Sequence, residues 1–185
     1  PSGFDPLVVD GRGLVSLVGF SARAVHVGAI PAPHYTGINL RTYVCDRQGA
    51  PAIFILQSRV TVLGMGAILF GLPVRATMIS AKPGALAAPG MGVGFTYRIE
   101  EGHAEPPPLD PPIGEIEVAY WRAAGIRRLE ARHAPVAWRA ATGTEASKFD
   151  PVLAHGFDVR EPPWMHYAER VDFELALPPR KISRC

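Results

Sequence analysis

Residues 171–177 read VDFELAL, which puts Val171, Phe173, Leu175 and Leu177 on one side of an extended chain and Asp172 and Glu174 on the other. Period-two alternation of this kind describes a strand with one buried face, not a helix, whose apolar residues recur every three or four positions. The pattern returns in Val93, Phe95, Tyr97 and Ile99 around Thr96 and Arg98, and in Ile116, Val118 and Tyr120 around Glu115 and Glu117. Further strands are expected over 14–20, 24–27, 38–45, 52–57, 74–79 and 127–133. That makes roughly eight or nine strands, enough to close a barrel or fill two sheets. Nineteen glycines and nineteen prolines in 185 residues supply the turns and leave few long helices.

The length is that of one domain, and residues 1–185 are read as a single unit with a core of its own. The one strong helix pattern runs from Arg59 to Phe70. Ser58 suits its N-cap, Gly71 its C′ position and Pro73 a stop just beyond. Its interior, VTVLGMGAILF, is apolar all round, which demands burial on most sides. The proline-rich stretch EEGHAEPPPLDPP at 100–112 reads as an extended, exposed connection between strands.

Several function classes fall away. A formal charge of +2 is too small for a nucleic-acid footprint, and the densest basic cluster, Arg127, Arg128 and Arg132, contains Glu130. The uncharged run from Val60 to Val74 is shorter than the roughly 20 residues a spanning helix needs, so no membrane role is expected. Two cysteines, Cys45 and Cys185, argue against a disulfide framework and for a reducing cytoplasm. The histidines and cysteines show no metal-ligand spacing, and no metal or other cofactor is expected. The two GMG stretches, at 64–66 and 90–92, lack the strand-turn-helix context of a phosphate loop. No G-x-S-x-G occurs, which removes the common acyl-enzyme serine.

Polar residues inside apolar strands carry the functional signal. In INLRTYV, Asn39, Arg41 and Tyr43 share one face, while Ile38, Leu40, Thr42 and Val44 share the other. With the apolar face packed outward against helices, the first set lines an interior, and Arg59 and Arg75 at the two ends of the helix point into the same space. A buried, unpaired guanidinium costs several kcal/mol, so such an interior holds carboxylates, carbonyls, water or an anionic ligand. Tyr43, Tyr97 and Tyr120 are placed in the pocket wall, and Tyr35, next to His34, near its mouth.

INLRTYV, the segment LFGLPVR, GTEASKFDPVLAHGFDVREPPW and the closing ERVDFELALP together resemble the acetoacetate decarboxylase superfamily, above all its uncharacterised bacterial branch. The resemblance covers about Leu14 to Pro178. It implies a mainly β fold: a cone-shaped, largely antiparallel β-barrel with short helices packed outside, a pocket for a small keto acid, and homo-oligomers. In those decarboxylases a turn reading aromatic, Pro, Lys, Lys carries a Schiff-base lysine whose amine is activated by the second cation. Leu72 and Pro73 match that turn, but Val74 stands at the Schiff-base position and Arg75 at the second cation. Arginine has no free amine at neutral pH with which to attack a carbonyl. Gly37 stands where the family tends to keep an acidic residue.

The resulting expectation is a protein that binds a small keto or carboxylate compound without covalent lysine catalysis. Arg75 and Tyr43 are its catalytic residues, and Arg41, Asn39, Tyr35, Tyr97 and Tyr120 its ligand contacts. Any chemistry would be of lyase type: decarboxylation, dehydration or cyclisation. The competing expectation is a structural, oligomer-forming barrel with Arg75 in an internal ion pair; Schiff-base chemistry from Lys148 or Lys82 is a third.

Overall fold

A computed structural model describes residues 3–24, 26–27, 29–31, 33–62, 74–102, 116–143, 148–150, 152, 155–157, 165–176 and 178–182. Strands dominate: β1 (Val15–Ala22), β2 (Tyr35–Cys45), β3 (Pro51–Val60), β4 (Val74–Ala76), β5 (Ser80–Lys82), β6 (Ala85–Ala88), β7 (Val93–Ile99), β8 (Val118–Ala123), β9 (Gly125–His133), β10 (Arg139–Gly143), β11 (Met165–Tyr167), β12 (Phe173–Leu175) and β13 (Arg180–Ile182). Two-residue strands at 5–6, 8–9, 12–13, 26–27, 30–31 and 148–149 complete the set. Among the described residues no helix reaches seven residues. The 3-10 segment Pro89–Met91 is closed by Gly92 at φ 64°, with Asp150 packed where a Cβ would stand.

Nine strands form one curled sheet, a half-barrel, ordered 5–6, β2, β3, β8, β9, β12, with β1 on β2, β4 on β3 and β13 on β9. Six form a second sheet, ordered β5, β6, β7, β10, β11, with 148–149 on β7. Pairing is antiparallel except where β3 meets β8 and β4.

The long strands β1, β2 and β3 form the centre of the molecule, and β2 is buried on both sides. On one side Ile38 and Leu40 are completely buried; on the other Tyr43 is 1% exposed. Ile38, with Leu17 beside it, packs against Leu86, Ala88 and Val93 of the second sheet and Met91 of the 3-10 turn. Gly19, paired with Ile38, lets Leu86 lie directly on the backbone: a Cβ there would stand 2.7 Å from its side chain. The same side of the curled sheet continues into a cluster of Val44, Ala52, Phe54 and Tyr120. Tyr43, Ile53 and Ile116 make a third cluster on the opposite side. Each fully buried aliphatic side chain in these clusters contributes about 1.5–3 kcal/mol.

Three expectations change. Arg59 and Val60 belong to strand β3, and Ser58 bonds Asn39 across the ladder, so the helix does not begin there. The strand runs on because Ser58, Arg59 and Val60 pair on both flanks, with Asn39, Ile38 and Gly37 on one side and Val74, Arg75 and Ala76 on the other. The rest of that expected helix, 63–70, lies outside the described residues, as do its capping turn, most of the proline-rich connection and the EPPW motif. Second, the face carrying Ile38 and Leu40 turns toward the second sheet and not outward to helices. Third, the closing strand exists at Phe173–Leu175, yet Val171, Phe173 and Leu175 are all exposed.

Candidate functional site

Strand register decides which polar side chains share a space. β2 and β1 run in unbroken antiparallel register, so Asn39, Arg41 and Tyr43 lie on one side with Val18 and Ser16. There Arg41 Nε donates to Ser16 Oγ at 3.0 Å, Ser16 Oγ meets the Tyr43 hydroxyl at 2.9 Å, and the guanidinium lies 5.7 Å from the Tyr43 ring centre. Ser58 Oγ donates to Asn39 Oδ1 at 2.6 Å. These groups satisfy one another on the side away from the second sheet, and Tyr43 is sealed from solvent.

Arg75 lies elsewhere. It pairs with Arg59 on the parallel strand, and Arg59 pairs with Ile38, so both arginines share the inter-sheet side of the ladder with Ile38. Arg41 pairs with Ile55 and projects from the opposite side. The structure therefore brings Arg59 to Arg75 and separates Arg41 and Tyr43 from both. Arg59 is half-buried, Arg75 exposed, and no described carboxylate pairs with either. Loss of hydration, and then the adjacent Arg75 charge, lower the Arg59 pKa from its ordinary value.

Next to this pair the ends of β1, β2 and β3 frame an open cleft of about 380 Å³, lined by Ser21, Arg23, His34, Tyr35, Thr36 and Thr61, with Ala81 from the second sheet. Thr61 follows Arg59 by two residues, and its N–H donates to the Thr36 carbonyl at 2.9 Å. Ser21 and Thr36 hydroxyls lie 3.3 Å apart. Tyr35 is held edge-on by Phe20, ring centres 6.0 Å apart, and burial raises its pKa. The Phe20 ring also covers Gly37, filling the space a side chain there would need. A carboxylate at position 37 is incompatible with that packing.

Two tyrosines of the expected pocket wall sit apart from the cleft lining. Tyr97 lies in β7, 6.4 Å from the Tyr167 ring; burial first, and then Tyr167, raise its pKa against a backbone hydrogen bond from Gly84. Tyr120 is buried in the cluster with Phe54, and its hydroxyl donates to Asp46 Oδ2 at 3.4 Å. Among the described residues no group of three or more His, Cys, Asp or Glu is placed to hold a metal ion, and no helix is long and apolar enough to cross a membrane.

The net charge averages away a sequence signal for the arginine pair. From Gly11 to Ile99, Asp46 is the sole acidic residue, against Arg12, Arg23, Arg41, Arg47, Arg59, Arg75, Lys82 and Arg98. The strands framing the cleft all come from this carboxylate-poor half, so its cations have few internal partners to meet.

Residues 1–172 match the family DUF2071, described as an uncharacterized conserved protein. The chain belongs to that family. No curated protein matches the DUF2071 chain in sequence. Among solved structures it is similar to the enduracididine biosynthesis enzyme MppR, complexed with pyruvate, at a TM-score of 0.53 and 15% identity, over 99% of this chain and 81% of that one. At that identity the likeness concerns the fold alone: a mostly β, curled sheet of the acetoacetate decarboxylase-like type.

Proposed function

We propose that this DUF2071 chain binds a small keto or carboxylate compound at the mouth between its two sheets, anchored by Arg59 and Arg75. The observation that carries the reading is the arginine pair itself. Two guanidiniums side by side on adjacent strands, with no described carboxylate between them, are a site that an anion completes. Ser21, Thr36 and Thr61 add hydroxyl donors for a carbonyl or second carboxylate oxygen. The similar fold of MppR holds pyruvate, a small keto acid, which is support by analogy of fold.

This reading moves the site from Arg41 and Tyr43 to Arg59 and Arg75, while Tyr35 shares the strand face of Arg41 and Tyr43, its ring against Phe20. Any chemistry here is noncovalent and of lyase type: the arginines stabilise an enolate or carboxylate oxygen as charge develops. No lysine is assigned a covalent role.

Titration calorimetry with pyruvate tests the binding half. The expected result is measurable affinity in the wild type and a loss of about tenfold or more in Arg59→Gln and Arg75→Gln, the size of one charge-assisted hydrogen bond. Wild-type-like affinity in both variants would remove the arginines from the site.

A second reading has its own observation. Val171, Phe173 and Leu175 form an exposed apolar stripe at the β12 edge of the curled sheet, which favours assembly between copies of the chain.

A further inference from the structure

The cleft lies just beyond the arginine pair, on the same face of the ladder. β1 and β2 remain in register through Ser21 with Thr36 and Ala22 with Tyr35, which sets Arg23 opposite His34 one step past the last paired residues. Both are exposed, and both line the cleft. By register Arg59 and Arg75 stand just inward of the cleft lining on the same face, and Arg23 and His34 at its outer rim, with the hydroxyls of Ser21, Thr36 and Thr61 between. No described acidic residue lines the cleft.

We infer that the ligand is a dianion: a keto acid with a second carboxylate, one end held by Arg59 and Arg75 and the other received by Arg23 and His34. The inference rests on the binding reading above and names its substrate class. Charge supports it, since a monocarboxylate neutralises one guanidinium and leaves the rest of a one-signed cleft uncompensated. Dimensions support it as well. His34 and Ile38, which mark the two ends along β2, are four residues apart, about 14 Å at roughly 3.4 Å per residue. Arginine side chains are long enough to close most of that distance, so a five- or six-carbon dicarboxylate suits it better than a three-carbon acid. A volume of about 380 Å³ lies within the usual range for small-ligand sites and leaves room beyond a three-carbon acid.

Calorimetry with two probes, pyruvate and 2-oxoglutarate, tests the inference on the full chain. The wild type is expected to prefer 2-oxoglutarate by about tenfold or more. The double variant Arg23→Gln, His34→Gln is expected to bring that ratio near one, while its thermal melt stays at the wild-type value because both side chains are exposed. A wild-type ratio near one overturns the inference and leaves keto-acid binding standing. A tenfold preference that survives in the double variant also overturns it. Binding of neither acid removes both readings together.

Discussion

Replacing Arg75 by Gln should not destabilise the ligand-free protein, and in low salt it should stabilise it. Arg59 and Arg75 stand opposite each other on adjacent strands, whose axes are about 4.8 Å apart. With their charges spread to about 7 Å, the repulsion is roughly 0.6 kcal/mol at a water-like dielectric and roughly 2.4 kcal/mol at an effective value near 20. Arg75 is exposed and Arg59 only half-buried, so the lower part of that range applies, about 0.5–1 kcal/mol. Salt shortens the reach of the repulsion, and at 0.5 M the screening length is only about 4–5 Å. Urea unfolding of wild type and Arg75→Gln at 20 mM and 500 mM NaCl should therefore show a gain in the variant that shrinks at the higher salt. A loss of about 3–5 kcal/mol, the signature of an orphaned buried ion-pair partner, would refute the uncompensated pair and favour the structural alternative.

Burial and exposure elsewhere in the fold set three further outcomes. Trp121 is completely buried in β8, and Trp121→Ala should cost about 3–5 kcal/mol in denaturant unfolding. Burial raises the Tyr35 pKa above its ordinary value, so the folded state holds that proton more tightly than the unfolded chain. The associated stability is complete below about pH 10 and is lost as pH rises through the folded value, so melts from pH 8 to 11 should fall less steeply in Tyr35→Phe than in the wild type. Phe173→Ser with Leu175→Ser should change folding stability by less than about 0.5 kcal/mol per exposed site yet lower the sedimentation coefficient, if copies meet through the β12 stripe.

The strand content was legible because alternation is a local property. Val93–Ile99 and Gly125–His133 appear close to where the pattern put them. AIFIL at 52–56 hides its alternation because both faces of β3 are buried, Ala52 and Phe54 in one cluster and Ile53 and Ile55 in another. A register shift between Leu40 and Arg41 leaves Leu56 unmatched, so the face carrying Arg59 does not follow by counting from Ile53. Alternation also cannot tell which face looks inward. In INLRTYV it correctly separated Arg41 from Ile38, but the second sheet that covers Ile38 is built from residues about 50 positions later. The apolar run after Ser58 looked helical from its first residue, whereas pairing with strands on both flanks holds 58–60 extended. Tertiary partners override local propensity in that way. At the other end, VDFELAL signals a strand equally well whether its apolar face meets a core or remains exposed, as Phe173 does at 52%.

The central claim is that Arg59 and Arg75 together hold an anionic small molecule between the sheets. Native mass spectrometry of the protein taken directly from its producing cells, beside Arg59→Gln and Arg75→Gln, tests it most directly. A small acid is expected to travel with the wild type and to be absent from both variants. A bound acid retained undiminished in both variants would contradict it.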